Sequence, residues 1–132
     1  MSPVRSPRGG RLSGSAEFER VYRHGRSTAN RHLVLYSFPN AAVEQPRIGL
    51  SVSRKVGGAV ERNKVKRLLR EAFAEVEPTL VPGHDVVVVA RPEALELAER
   101  EGLAGIGSAL GELLVKSGLR SPGEGEAETE PS

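Results

Sequence analysis

The chain has 132 residues, a formal net charge of +2 and no cysteine. That length suits one domain, and the missing cysteine excludes disulfides, thiolate metal sites and a cysteine nucleophile. The small net charge hides a polarity: residues 1–70 carry 15 Lys and Arg against 4 Glu, whereas residues 71–132 carry 4 against 13 acids, which points to a polyanionic partner for one face. Arginine outnumbers lysine fifteen to four, a bias that suits phosphate forks and base stacking, although a GC-rich genome produces it too. No stretch approaches the roughly 18 consecutive apolar residues of a membrane span, and Met1 to Arg11 lacks the apolar core of a signal peptide. A membrane is therefore not an expected partner, and the cytoplasm is the expected compartment.

In chain order, residues 1–10 mix Pro, Gly, Ser and Arg without periodicity and read as a flexible basic arm. From Ser13 or Ser15, either a suitable N-cap, the run to His24 predicts a short helix closed by Gly25. Phe18, Val21 and Tyr22 share one face of it, a spacing that by itself serves to bury a helix against a sheet. Leu33 to Phe38 predicts a strand with Leu33 and Leu35 opposite Val34, Tyr36 and Phe38, and Pro39-Asn40 breaks it. Arg47 to Ser53 predicts a second strand, with Ile48, Leu50 and Val52 on its buried side. The two are expected to pair as a hairpin across residues 41–46.

Ser53-Arg54-Lys55-Val56-Gly57-Gly58 is a basic loop ahead of a helix whose free N–H groups and dipole favour anions. No Gly-x-x-x-x-Gly-Lys-Ser/Thr occurs, so a nucleotide P-loop is not supported. In the helix running to Val76, Val65, Leu68, Leu69, Ala72, Phe73 and Val76 form one apolar stripe. At about 100° per residue, Asn63, Lys66, Arg67 and Arg70 fall together away from that stripe, with Arg62 and Lys64 at its edges. Only Glu61 and Glu71 lie within this basic segment, too few to neutralise it, and such repulsion destabilises a helix unless a polyanion engages it. The plain alternative is a solvated face.

Pro78 and Pro82-Gly83 close the helix, and His84 to Ala90 is a β-branched run expected to be the central strand. Residues 93–116 have helical spacing, which the glycines at 102, 105, 107 and 111 weaken, with a break expected near Gly102. From Ser117 to Ser132, Pro, Gly, Glu and Thr dominate, which predicts a disordered acidic tail able to compete weakly with RNA for the basic face. His24, His32 and His84 match no metal spacing. The sole aspartate, Asp85, adjoins His84 on the opposite side of a strand, so no Ser-His-Asp triad is expected. The chain reads as a binder and not as a self-sufficient enzyme.

Arg62-Asn63-x-x-Lys66-Arg67-x-x-Arg70, directly after Ser51-Val-Ser-Arg-Lys-Val-Gly-Gly-Ala-Val60, resembles the signature of the protein subunit of bacterial ribonuclease P. Phe18-x-x-Val21-Tyr22-x-x-Gly25, Leu33-Val-Leu-Tyr36, Arg47-Ile-Gly-Leu-Ser51 and Asp85-Val-Val-Val-Val-Ala-Arg-Pro92 follow in the family's order. The similarity covers about residues 11–116, taken as a single RNA-binding domain between the arm at 1–10 and the tail at 117–132. The Gly-rich last helix and Arg54, where the family more often has lysine, depart from the pattern.

The resemblance implies an α/β (α+β) two-layer sandwich of order αβββαβα, ribosomal-protein-S5-domain-2-like, with a left-handed βαβ crossover against the usual right-handed rule. It implies a catalytic RNA partner, precursor tRNA as substrate, hydrolytic removal of the 5′ leader, no catalytic residue on the protein, Mg2+ held mainly by the RNA, and no obligate protein partner. It assigns RNA contact to Arg54, Lys55, Arg62, Asn63, Lys64, Lys66, Arg67 and Arg70, and leader binding to Phe18, Tyr22 and Tyr36. Two other classes fit the basic half alone. One is a ribosomal or chaperone-like RNA binder; the other is a DNA-binding regulator, for which no helix-turn-helix partner precedes Ala59.

Overall fold

The computed structural model describes residues 10–11 and 15–121, so most of the expected arm and the tail beyond Ser121 lie outside it. The elements are β1 (Gly10–Arg11), α1 (Ser15–His24), β2 (Arg26–Ala29), β3 (Leu33–Pro39), β4 (Arg47–Ser51), α2 (Ala59–Val76), a single 3-10 turn (Glu77–Thr79), β5 (His84–Ala90) and α3 (Glu93–Lys116). They form one mixed sheet in the order β1-β4-β5-β3-β2. The short strand β1 stands ahead of the expected order. It runs parallel to β4, pairing Gly10 with Arg47.

The expected hairpin between the strands at 33 and 47 does not form. β5 lies between them, antiparallel to β3 and parallel to β4, while β3 makes its hairpin with β2. β2 carries no apolar alternation, since Arg26, Ser27 and Ala29 are exposed, and for that reason the residues alone do not announce it. Short polar edges of this kind resist pairing with another chain. β5 is central, and its unbroken valine run follows from cover on both faces: Val86, Val87 and Val88 are all fully buried.

Alternation along the strands separates two clusters. Leu33, Leu35, Ile48, Val86, Val88 and Ala90 face α2 and α3, whose Val65, Leu69, Phe73, Leu97, Ile106, Leu110 and Leu113 complete the main core. Fully burying each large apolar side chain contributes roughly 1.5–3 kcal/mol. On the opposite face, Val21 of α1 packs on Val87, with Phe18, Tyr36, Phe38 and Val89 around them.

α3 breaks where expected, at Gly102, whose φ of 60° and ψ of −142° interrupt the helix; a left-handed φ there costs an L-residue about 1–2 kcal/mol. Gly102 is the residue of α3 with non-helical φ/ψ, and at Gly107, which faces α2, an added Cβ would meet that of Ala72 at 3.8 Å, an ordinary contact distance. Packing also continues past Lys116, where the sequence suggested a tail. Leu119 is 2% exposed, its carbonyl accepts from Val81 N–H at 2.8 Å, and the chain thus stays on the core as far as Arg120.

Candidate nucleic-acid interface

The loop from β4 to α2 is built to display cations. Val52 and Val56 are buried anchors, and Val56 N–H donates to Ser53 O at 3.0 Å while Gly57 N–H donates to Arg54 O at 3.2 Å. Ser53, Arg54 and Lys55 stand exposed on that turn. Glu61 then folds back to the helix start, where its carboxylate accepts from Gly58 N–H at 2.6 Å. Gly57 makes room, since a Cβ there would lie 2.6 Å from the same oxygen. One of the N–H groups expected to attract anions is therefore already engaged, and so is the acid nearest the basic segment.

α2 buries Val65, Leu68, Leu69, Ala72 and Phe73, which fixes where its cations stand. Asn63 and Arg67 are exposed, and Arg62, Lys64, Lys66 and Arg70 are half-buried beside the stripe. Arg70 is engaged within the chain. Among the described residues no ion pair involves Arg54, Lys55, Arg62, Lys64, Lys66 or Arg67. The Nε of Arg62 is buried without a hydrogen-bond partner, a state that costs free energy until a partner arrives.

Phe18, Tyr22 and Tyr36 come together across α1 and β3. The Phe18 and Tyr22 rings meet edge-on at 6.3 Å, and Tyr22 and Tyr36 do so at 4.9 Å. Among the described side chains of α1, Val21 is the buried anchor; Tyr22 remains 40% exposed, and Phe18 and Tyr36 are half-buried. Gly25 lets this helix end lie on β3, because a Cβ there would come within 2.5 Å of the carbonyls of Ser37 and Val21.

Sequence reasoning missed three neighbours. Val34, Phe38 and Val89 are half-buried on the same face. The alternation of 34, 36 and 38 was the available signal for the first two, whereas Val89 is placed only by its register opposite Val34. Tyr36 pairs with Val87, which pairs with Gly49, so the aromatic patch lies two strands, about 10 Å, from the strand that leads into the basic loop.

Beside Phe38 in the register sits a polar pair that the motifs also contain. Arg47 donates from Nε and Nη2 to the two carboxylate oxygens of Asp85 at 2.8 and 2.9 Å, with Arg47 6% and Asp85 1% exposed. Asn40 Nδ2 donates to the same carboxylate at 3.0 Å. The register places Arg47 and Phe38 on either side of Asp85, so the pair joins β4 to β5, and Asn40 brings the end of β3 to the same carboxylate. Asp85 is thereby committed to structure. The His84 ring contacts Pro82 O instead, and among the described residues no group of three or more His, Asp or Glu is arranged to hold a metal. No helix of the described residues is long and apolar enough to cross a membrane.

A family model described as ribonuclease P matches residues 7–113. The chain belongs to the ribonuclease P protein family. The ribonuclease P protein component of Shouchella clausii is 42% identical over 112 residues, covering 85% of this chain and 88% of its own. Among solved structures, the ribonuclease P protein of Staphylococcus aureus superposes with a TM-score of 0.75 at 35% identity, over 83% of this chain and 95% of that one. That of Thermotoga maritima gives 0.73 at 32%, over 80% and 96%. The α+β architecture is thus that of ribonuclease P proteins, and the Arg-Asn signature and the aromatic motif lie inside the matched region.

Proposed function

We propose that this ribonuclease P protein joins a catalytic RNA and holds the 5′ leader of precursor tRNA while the RNA hydrolyses the leader away, leaving the mature 5′ end. The observation that carries this function is a helix of family signature whose Arg62, Lys64, Lys66 and Arg67 form no ion pair among the described residues. Arg54, Lys55, Arg62, Lys64, Lys66, Arg67 and Arg70 contact RNA phosphates, and Asn63 adds a hydrogen bond. Each neutralised phosphate releases counterions, so the protein lowers the magnesium concentration the RNA needs.

Phe18, Tyr22 and Tyr36 receive leader bases on their ring faces. Stacking tolerates any base, with about 1–3 kcal/mol lost per base on truncation, and so suits leaders of varied sequence. From its family membership we assign Mg2+ mainly to the partner RNA, where it would supply electrophilic activation of the scissile phosphodiester. The protein itself binds, orients and screens. It works in the cytoplasm and requires no further protein.

The test is precursor processing at low magnesium with the reconstituted holoenzyme, the RNA alone and the protein alone. Cleavage is expected to be fast only in the first. Cleavage by the protein alone, or no gain over the RNA, would refute the division of labour.

A further inference from the structure

Among the described residues, the exposed large apolar side chains are Tyr22, Val81 and Val60, at 40%, 42% and 82%. Tyr22 belongs to the aromatic patch, and Val81 is tied to the core through its N–H, which donates to Leu119 O at 2.8 Å. Val60 stands almost wholly in water on the first turn of α2. A β-branched side chain loses rotamer freedom in a helix, and at this exposure it recovers almost nothing by packing.

Its neighbours make it the centre of a small uncharged platform. Gly58 and Ala59, just before it, are exposed as well, and Glu61, just after it, is turned back onto Gly58 N–H at 2.6 Å. Cations border the platform on both sides. Arg54 and Lys55 stand exposed on the preceding turn, which closes toward the helix start through Gly57 N–H on Arg54 O at 3.2 Å. At 100° per residue, Lys64 and Arg67 lie within about 40° and 20° of Val60 around the helix, and about 6 and 10.5 Å along its axis. Phosphates are hydrated anions, and an isopropyl group set among their cations gains nothing from them. A base turned out of its stack has an apolar face to cover, and single-stranded loops and bulges of RNA present such bases.

We infer that Val60 receives the face of an unpaired base of the catalytic RNA, while Arg54, Lys55, Lys64 and Arg67 hold the phosphates on either side of it. The inference rests on the reading of α2 as the RNA surface. The base belongs to the catalytic RNA and not to the leader because α2 packs on the sheet face opposite the aromatic patch. Its consequence is register. Phosphate contacts carry no sequence information and allow a protein to slide along a backbone, whereas a base seated on Val60 fixes which nucleotide lies over the first turn of α2.

The test measures assembly with the catalytic RNA over a series of salt concentrations for the unaltered chain, Val60→Ala, Val60→Thr, Val60→Ile and Arg67→Ala. Val60→Ala and the isosteric but polar Val60→Thr should each weaken binding about threefold to tenfold, the loss expected for one or two methyl groups taken from an apolar contact. The slope of log affinity against log salt should stay the same for both, since no counterion is involved, and Val60→Ile should bind as the unaltered chain does. Melting temperatures should not change. In chemical probing of the assembled RNA, one unpaired base protected by the unaltered chain should regain reactivity with Val60→Thr. Unaltered affinity for Val60→Ala and Val60→Thr, or a loss that comes with a changed salt slope, would overturn the inference. If the Val60 variants bind normally while Arg67→Ala flattens the slope, the base contact alone is refuted; if Arg67→Ala leaves the slope unchanged too, the reading of α2 as the RNA surface falls with it.

Discussion

The two faces of the sheet are made by the same strands and differ in what covers them. On one face α2 and α3 seal Leu33, Leu35, Val86 and Val88 completely. On the other, α1 is the packed helix; it closes over Val87 through Val21 and leaves Val34, Tyr36, Phe38 and Val89 half-buried. Residue type does not explain the contrast, because Phe73 on the sealed side is 4% exposed while Phe38 on the other stays accessible. Coverage by helices does. The sealed face stores stability, and the half-covered face keeps aromatic rings available to a ligand.

Substitutions can break or sharpen this contrast. The largest effect is expected from Asp85→Ala, which removes the carboxylate that accepts from the buried Arg47 at 2.8 and 2.9 Å and should cost about 3–5 kcal/mol in denaturant unfolding. Replacing Arg47 and Asp85 together by apolar residues should cost far less, and equal losses would show that the pair's charge is not the cause. Leu69→Ala, on the sealed side, should cost about 2–5 kcal/mol in the same measurement by leaving a cavity. Its affinity for RNA, measured below the unfolding transition, should be unchanged.

Tyr36→Ala reverses the pattern. It should weaken binding of long-leader precursors by about 1–3 kcal/mol, with a much smaller effect on mature tRNA, and equal losses for both would remove Tyr36 from the leader site. Arg67→Ala should have the smallest effect: the melting temperature stays the same, and the slope of log affinity against log salt falls by about one. An unchanged slope would exclude a phosphate contact there.

The comparison also locates what could be read from the residues. Helix α2 was legible to its ends because its apolar spacing is long and regular, and the same spacing fixed the ridge by exclusion. The valine run marked β5 as central for a similar reason. β2 was illegible from its own residues, since an exposed edge of Arg, Ser, Thr and Ala carries no periodic signal. The hairpin expectation failed because chain neighbours usually pair, whereas here β5 arrives later and inserts between β3 and β4. Leu119 was missed because one apolar residue among Gly, Ser and Glu has no pattern to reveal its burial.

By itself the sequence determined the charge polarity, the amphipathic helix with its cations, and the family, for these depend on residue order within short windows. Only the tertiary structure decided that Tyr22 meets Tyr36 at 4.9 Å, that Arg47 is held by Asp85, and that Glu61 turns to the helix start and leaves the ridge alone. Those outcomes depend on which strand lies beside which and on how far each helix covers the sheet, and contacts between residues tens of positions apart are set by packing the whole chain.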